Sequence, residues 1–354
     1  MLCADYPFDI SISSQTHSIP AAFLTSVHHV WNRTVEFLSP HRVVPVYHLS
    51  KPGILERYKW LMGVPDPGLM AIELDITRRG SYRRNTVGFP SIAHPNHVSD
   101  QNVSYVLDGN ALGASAAEAV RRRRPVEFNM PDTIVVSIGY PTQLPDSPYS
   151  QGRYYDYQPP VCANCTPPTQ PGVPSNADNF LNFIDDILKP WVRGTLFPNT
   201  EFSRDAIYGH SFSGLFVLYA LIARPELFDT FLSASPALYW NDGYIFSQLG
   251  SFQSPANATA PKPSFQLSYG GREQNPVKRR IESDEEWEFR KKFLSFSMMT
   301  DNCNRLYNEL KYSPRLRDVQ LHEYPFSDHA AVGAVAISDG LDYFLDWFPR
   351  IAGA

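Results

Sequence analysis

The chain has 354 residues, of which 43% are hydrophobic and 19% charged, and its formal net charge is −5. That length holds one large α/β domain or two small ones, and the composition is that of an ordinary soluble protein. The slight acidic balance argues against nucleic acid or an anionic membrane as a general partner, and no run is long and apolar enough to span a bilayer.

The first fourteen residues carry no basic segment followed by an apolar core, so no secretory leader is expected and the expected location is the cytoplasm. The sequons at Asn32, Asn102, Asn164 and Asn257 are then expected to be unused. Residues 1 to about 100 are read as N-terminal strands and an extension, with strand-like pieces at 43–47 and 70–75.

From residue 103 strands and helices alternate. Residues 103–107 form a short apolar strand that ends at Asp108-Gly109-Asn110, and 113–123 read as a helix. The arginine run 121–124 suits the solvated end of that helix, where positive charge opposes the dipole, better than a nuclear address. Residues 133–139 are a buried β-branched strand, and 179–192 carry helical spacing through Phe180, Phe183, Ile184, Ile187, Leu188 and Trp191. Strands follow at 205–208, 230–233, 265–269 and 319–324; helices at 215–223, 284–310 (long, charged on one face) and 334–347. This order predicts an α/β fold, with a mainly parallel central sheet and helices on both faces, as a single domain over 1–354. Ligands in such sheets bind at the carboxyl ends of the strands. Residues 141–178, rich in Pro and Tyr and without period, are expected to form an irregular loop over that end.

Gly209-His210-Ser211-Phe212-Ser213-Gly214 lies between a strand and an apolar helix. A serine so placed reads as a nucleophile elbow, its hydroxyl held at a tight turn over a helix N-terminus. Ser213 stands where a second glycine is usual, so that position must keep a negative φ. The chain order of such sites is serine, acid, histidine. Only His322 and His329 follow Ser211; His322 lies within a strand, whereas His329 lies in the loop after the last strand and is the expected base. Glu273, just past the strand 265–269, is the first choice for the acid, with Asp284 and Glu285 as rivals and Asp328 too near His329 in sequence. The oxyanion hole is expected from the N–H groups of Phe212 and Asn110, with Gly109 leaving room for close approach. Arg153 in the pocket loop offers a cation for a substrate carbonyl or carboxylate, and the tyrosines 154, 155 and 157 offer an apolar wall. Cys162-Ala163-Asn164-Cys165 lacks a second pair, and His28, His29, His94 and His97 have no metal spacing, so neither a metal nor a cofactor is expected.

Taken in order, 105–110, 138–141, Arg153 with Asp156-Tyr157, 209–216, Ser235 to Trp240, Tyr269-Gly270 with Glu273, and Asp328-His329 before Gly340-Leu341 resemble the putative-esterase (esterase D-like) family of α/β-hydrolases. The resemblance covers roughly residues 100 to 348. Within the family the chain is most similar to siderophore esterases, both the enterobactin type and the fungal enzymes that open fusarinine C and triacetylfusarinine C. The resemblance implies a serine esterase that hydrolyses a hydroxamate siderophore as its ferric complex and releases iron inside the cell, the iron arriving with the substrate. It implies Ser211 as nucleophile and His329 as base. Some members use a Ser–His dyad, so Glu273 rests on its position. Arg153, Tyr155, His210 and Trp240 are the candidate substrate-binding residues. Same-fold alternatives are S-formylglutathione hydrolase or a general carboxylesterase; a siderophore-binding protein without turnover, or an acyltransferase, are the others. Nothing in the sequence indicates the oligomeric state.

Overall fold

The structure, a computed structural model, describes residues 47–48, 73–78, 101–123, 133–140, 147–161, 175–254 and 262–346, all within the compact unit Val44–Ala354. Readings that concern residues 1–46, the histidines 94 and 97, and the 162–165 cysteine pair lie outside these residues.

Eight strands make one sheet: β1 (Tyr47–His48), β2 (Glu73–Arg78), β3 (Gln101–Leu107), β4 (Thr133–Gly139), β5 (Phe202–His210), β6 (Thr230–Ala234), β7 (Ser264–Gly270) and β8 (Asp318–Tyr324). Their order is β1-β2-β4-β3-β5-β6-β7-β8. β1–β2 and β2–β4 pair antiparallel, and every pair from β4 across to β8 is parallel. The helices are α1 (Gly109–Arg123), α2 (Arg153–Asp156), α3 (Ala177–Phe183), α4 (Phe212–Ala223), α5 (Gly271–Gln274), α6 (Asp284–Ser295), α7 (Met299–Leu310) and α8 (His329–Asp346).

The central strands β3 to β7 are buried on both faces, as a parallel sheet requires, whereas the edge strand β8 is polar and largely exposed. In β3, Val103, Tyr105 and Leu107 face one core while Val106 faces the other; in β4, Ile134, Val136 and Ile138 oppose Val135. The larger core contains α3, α4 and α7, and the smaller contains α1 and α8. α4 is apolar nearly all round because it is buried nearly all round, with Leu215, Phe216, Val217 and Leu218 fully enclosed. Phe216 stands at the centre of an aromatic cluster, 5.2 Å from Phe180 and 5.6 Å from Tyr157 between ring centroids.

Several predicted elements differ in extent, four of them for a local reason. The helix after β3 begins at Gly109 rather than 113, because Ala111 and Leu112 both donate to the Asp108 carbonyl. The final helix begins at His329 rather than 334, and the Asp328 side chain accepts from Ala331 N–H at 3.0 Å. The stretch 179–192 is longer and runs through two widened turns, Ile184–Leu188 and Val192–Leu196, on either side of Pro190, which has no N–H to donate. The single long helix expected over 284–310 is two, because the chain breaks at 296–298 with Met298 in the left-handed region (φ +44°).

The loop at 141–178 has an organising centre where it is described. Asp156, fully buried, accepts from the Tyr140 hydroxyl at 2.7 Å and from Asn176 Nδ2 at 2.8 Å. Its two ends are thereby tied to its middle. Replacing Phe216 by alanine empties the centre of the aromatic cluster. A loss of about 3–5 kcal/mol is expected, seen as a lowered denaturant midpoint at constant slope.

Candidate active site

The carboxyl ends of β3, β5, β6, β7 and β8 meet at one rim, and the chemistry-bearing residues follow directly from them. Ser211 sits between β5 and α4 with φ +62° and ψ −115°, a strained geometry for a residue with a Cβ. The turn is packed so tightly that a Cβ at Gly209 would lie 2.3 Å from the Ser213 carbonyl oxygen. Ser211 N–H donates to the Ala234 carbonyl at 2.9 Å, which fixes the elbow to the end of β6.

His329 Nε2 lies 2.8 Å from Ser211 Oγ, and its Nδ1 lies 2.5 Å from Glu273 Oε2. The contacts assign one tautomer: Nδ1–H donates to the carboxylate, and the serine hydroxyl donates to Nε2. Glu273 is 2% exposed, whereas the His329 side chain is 39% exposed, so the ring opens to the rim and its acid does not. The rivals Asp284 and Glu285 are elsewhere, in the first turn of α6, and Asp328 caps the start of α8.

Ser213 keeps a negative φ inside α4, so the absent glycine causes no backbone strain. Its hydroxyl accepts from His210 N–H at 2.9 Å and lies 2.7 Å from Asp108 Oδ2. Asp108 in turn receives Arg153 through Nε at 3.0 Å and Nη2 at 2.8 Å. Burial works against the Arg153 cation, but the Asp108 charge and its hydrogen bonds outweigh it and hold the guanidinium above its ordinary value. Two of the three Arg153 guanidinium nitrogens are thus held by Asp108 in the interior, which makes Arg153 a structural partner of the end of β3.

Gly109 and Asn110 open α1 as Phe212 opens α4, and the two helices start from the ends of neighbouring strands. First-turn N–H groups have no carbonyl within their own helix. Asn110 Oδ1 accepts from Tyr140 N–H at 2.7 Å, and a Cβ at Gly109 would lie 2.9 Å from the Ser137 backbone.

The other candidate substrate-contact residues differ in their surroundings. Trp240 is 4% exposed and packs on Tyr244, so it belongs to the core. Tyr155 is half-buried against the larger core next to Tyr154, whose ring lies against Phe212 with centroids 5.3 Å apart. His210 is buried behind His329, its ring centroid 4.6 Å from that of His329. Both His210 ring nitrogens are enclosed, next to the His329 backbone, and Gly333 lets α8 approach the ring closely. Burial above all, and then the neighbouring His329 and Arg153 charges, push its pKa well below the usual histidine range. The sequence gives no sign of these enclosures, because periodicity does not report what covers a turn.

The sequence profile of the family described as Putative esterase matches residues 93–306. The chain belongs to that family. It is 41% identical over 247 residues to a protein named siderophore enterobactin esterase from Emericella nidulans, covering 68% of this chain and 80% of that one. It is 33% identical over 280 residues to one named siderophore triacetylfusarinine C esterase from Aspergillus fumigatus, covering 75% and 92%. The solved siderophore hydrolase EstA from Aspergillus nidulans superposes with a TM-score of 0.69 at 36% identity, covering 78% of this chain and 90% of the other. This member of the family has the α/β-hydrolase fold, and its activity is carboxylic ester hydrolysis. No helix among the described residues is long and apolar enough to cross a membrane.

The depressed His210 carries a signed consequence. The folded state holds it neutral, while the unfolded chain protonates it near the ordinary value of 6.5. Stability therefore falls as pH drops below that value, by up to about 1.4 kcal/mol per pH unit for this one group. The His210→Phe variant should show a shallower loss than the parent in denaturant titrations between about pH 7 and pH 5.

Proposed function

We propose that this esterase hydrolyses the ester bonds of a hydroxamate siderophore of the fusarinine type, taken as its ferric complex, through an acyl-serine intermediate. What carries the reading is the continuous run of contacts from Ser211 Oγ through the His329 ring to Glu273 Oε2. The names borne by the relatives supply the substrate class.

In this reading His329 Nε2 takes the Ser211 proton as Oγ attacks the ester carbonyl, and Glu273 stabilises the resulting imidazolium. The developing oxyanion is held by the N–H groups of Phe212 and Asn110 at the first turns of α4 and α1. His329 returns the proton to the departing alkoxide. A water molecule, deprotonated by His329, then attacks the acyl carbon, and Ser211 leaves with a proton from the imidazolium. The Tyr154 ring on Phe212, with the Tyr149 ring 4.9 Å from the Arg153 guanidinium, offers flat aromatic surface in the adjoining loop. Iron is cargo in this scheme and takes no part in bond breaking.

The test is mass spectrometry of a ferric trihydroxamate triester after incubation with the protein, beside S-formylglutathione and a p-nitrophenyl ester. Stepwise appearance of ring-opened and monomeric hydroxamate acids is expected. Preferential turnover of the thioester or the simple ester would replace the siderophore reading with one of those activities. Ser211→Ala should lower kcat by about 10⁴-fold or more and abolish labelling by a fluorophosphonate. A parent protein that neither turns over nor labels would be a binding protein.

A further inference from the structure

Ser235 is the first residue after β6 and holds φ at +41°, in the left-handed region. It is fully buried, and its N–H donates to the Ser268 carbonyl on β7 at 2.7 Å. Glycine would occupy such a turn without strain. The feature that glycine lacks is the hydroxyl, and the Ser235 hydroxyl donates to Glu273 Oε1 at 2.5 Å. Gly270 N–H donates to the same oxygen at 2.7 Å. Glu273 Oε2 is left to His329 alone.

We propose that Ser235 is a positioning residue of the hydrolytic site, whose hydroxyl fixes the carboxylate plane of Glu273 so that Oε2 meets the His329 ring. The proposal rests on the reading of Ser211, His329 and Glu273 as the acyl-transfer machinery. The final torsion of a glutamate is soft, so a carboxylate held by one contact turns readily. Here Oε1 is pinned by donors from the ends of two different strands, and rotation would break both bonds in a dry site, where lost hydrogen bonds are costly.

The same loop also holds the other end of the machinery. Ala237 N–H donates to the Ser211 carbonyl at 3.0 Å, and the Ala234 carbonyl accepts from Ser211 N–H. Four consecutive residues, 234 to 237, thereby fix both the backbone of the nucleophile and the side chain of its acid. The left-handed strain at Ser235 persists because this double attachment over-determines it.

The experiment compares Ser235→Gly and Ser235→Ala with Ser211→Ala and the parent protein. Glycine removes the hydroxyl and the backbone strain together; alanine removes only the hydroxyl. Both Ser235 variants should lose about tenfold or more in kcat, the scale of one hydrogen bond to an ionised group, with KM little changed. Ser235→Gly should do so with a Tm equal to or above that of the parent. The low-field proton resonance of His329 Nδ1–H should weaken or move in both. A Ser235→Gly protein with parental kcat and an unmoved resonance, beside an inactive Ser211→Ala, would overturn the Ser235 assignment alone. A kcat loss that follows a fall in Tm and is absent from the stable variant would also overturn it, as a folding effect. An active Ser211→Ala would overturn the reading beneath it.

Discussion

The site depends on one reversal of the backbone, the turn at Ser211 from β5 into α4. A non-glycine residue at φ +62° and ψ −115° costs about 1–3 kcal/mol, so the surroundings must hold it there. They do so from three directions. Gly209 leaves no side chain where the chain doubles back, the 234–237 loop bonds both the N–H and the carbonyl of Ser211, and Ser213 bonds the backbone of His210. The reward for the strain is geometric: the hydroxyl projects from the rim toward His329, above the first turn of a buried helix.

Ser213 shows how a departure from a familiar pattern is absorbed. A glycine there would leave Asp108 facing the elbow with one hydrogen bond fewer. The serine links the elbow to the Asp108–Arg153 pair, and so to the loop that carries Arg153. A buried ion pair is weak evidence of stability in itself, but removal of one partner leaves an uncompensated charge. The elbow, the end of β3 and the pocket loop are therefore coupled through one carboxylate. Asp156 couples the same loop to Tyr140 and Asn176 at its ends. Loop and sheet form one polar framework with the aromatic cluster around Phe216 beneath it.

His329 and Ser211 are the partly exposed members of a site whose Glu273, Ser235 and His210 are enclosed. The ring of His329 is tilted against that of His210, which is buried and held neutral. The His329 ring is held by His210 on one side and by Glu273 at Nδ1, with Nε2 turned to Ser211. The buried carboxylate behind it is held by donors just past the end of β6 and at the end of β7, so its orientation toward His329 is fixed.

Order along the chain was enough to single out Ser211, His329 and Glu273, which the fold brings into contact. Strands that alternate with helices force a mainly parallel sheet, and a parallel sheet collects its strand ends at one rim, so residues that follow those strands must converge there. The elbow was equally legible, since a small residue on either side of a serine between strand and helix has few other uses. Tertiary structure alone decided which side chains face outward. His210 and Trp240 stand in motifs that look functional but are enclosed by α8 and the larger core, and Arg153 is turned inward by a carboxylate 45 residues earlier in the chain. Helix ends were misplaced where a cap, a proline or a left-handed residue overrode periodicity, as at Gly109, Pro190 and Met298. Periodicity reports the average environment of a segment; a buried hydrogen bond such as that from Ser235 to Glu273 depends on two chain ends meeting, which sequence spacing does not encode.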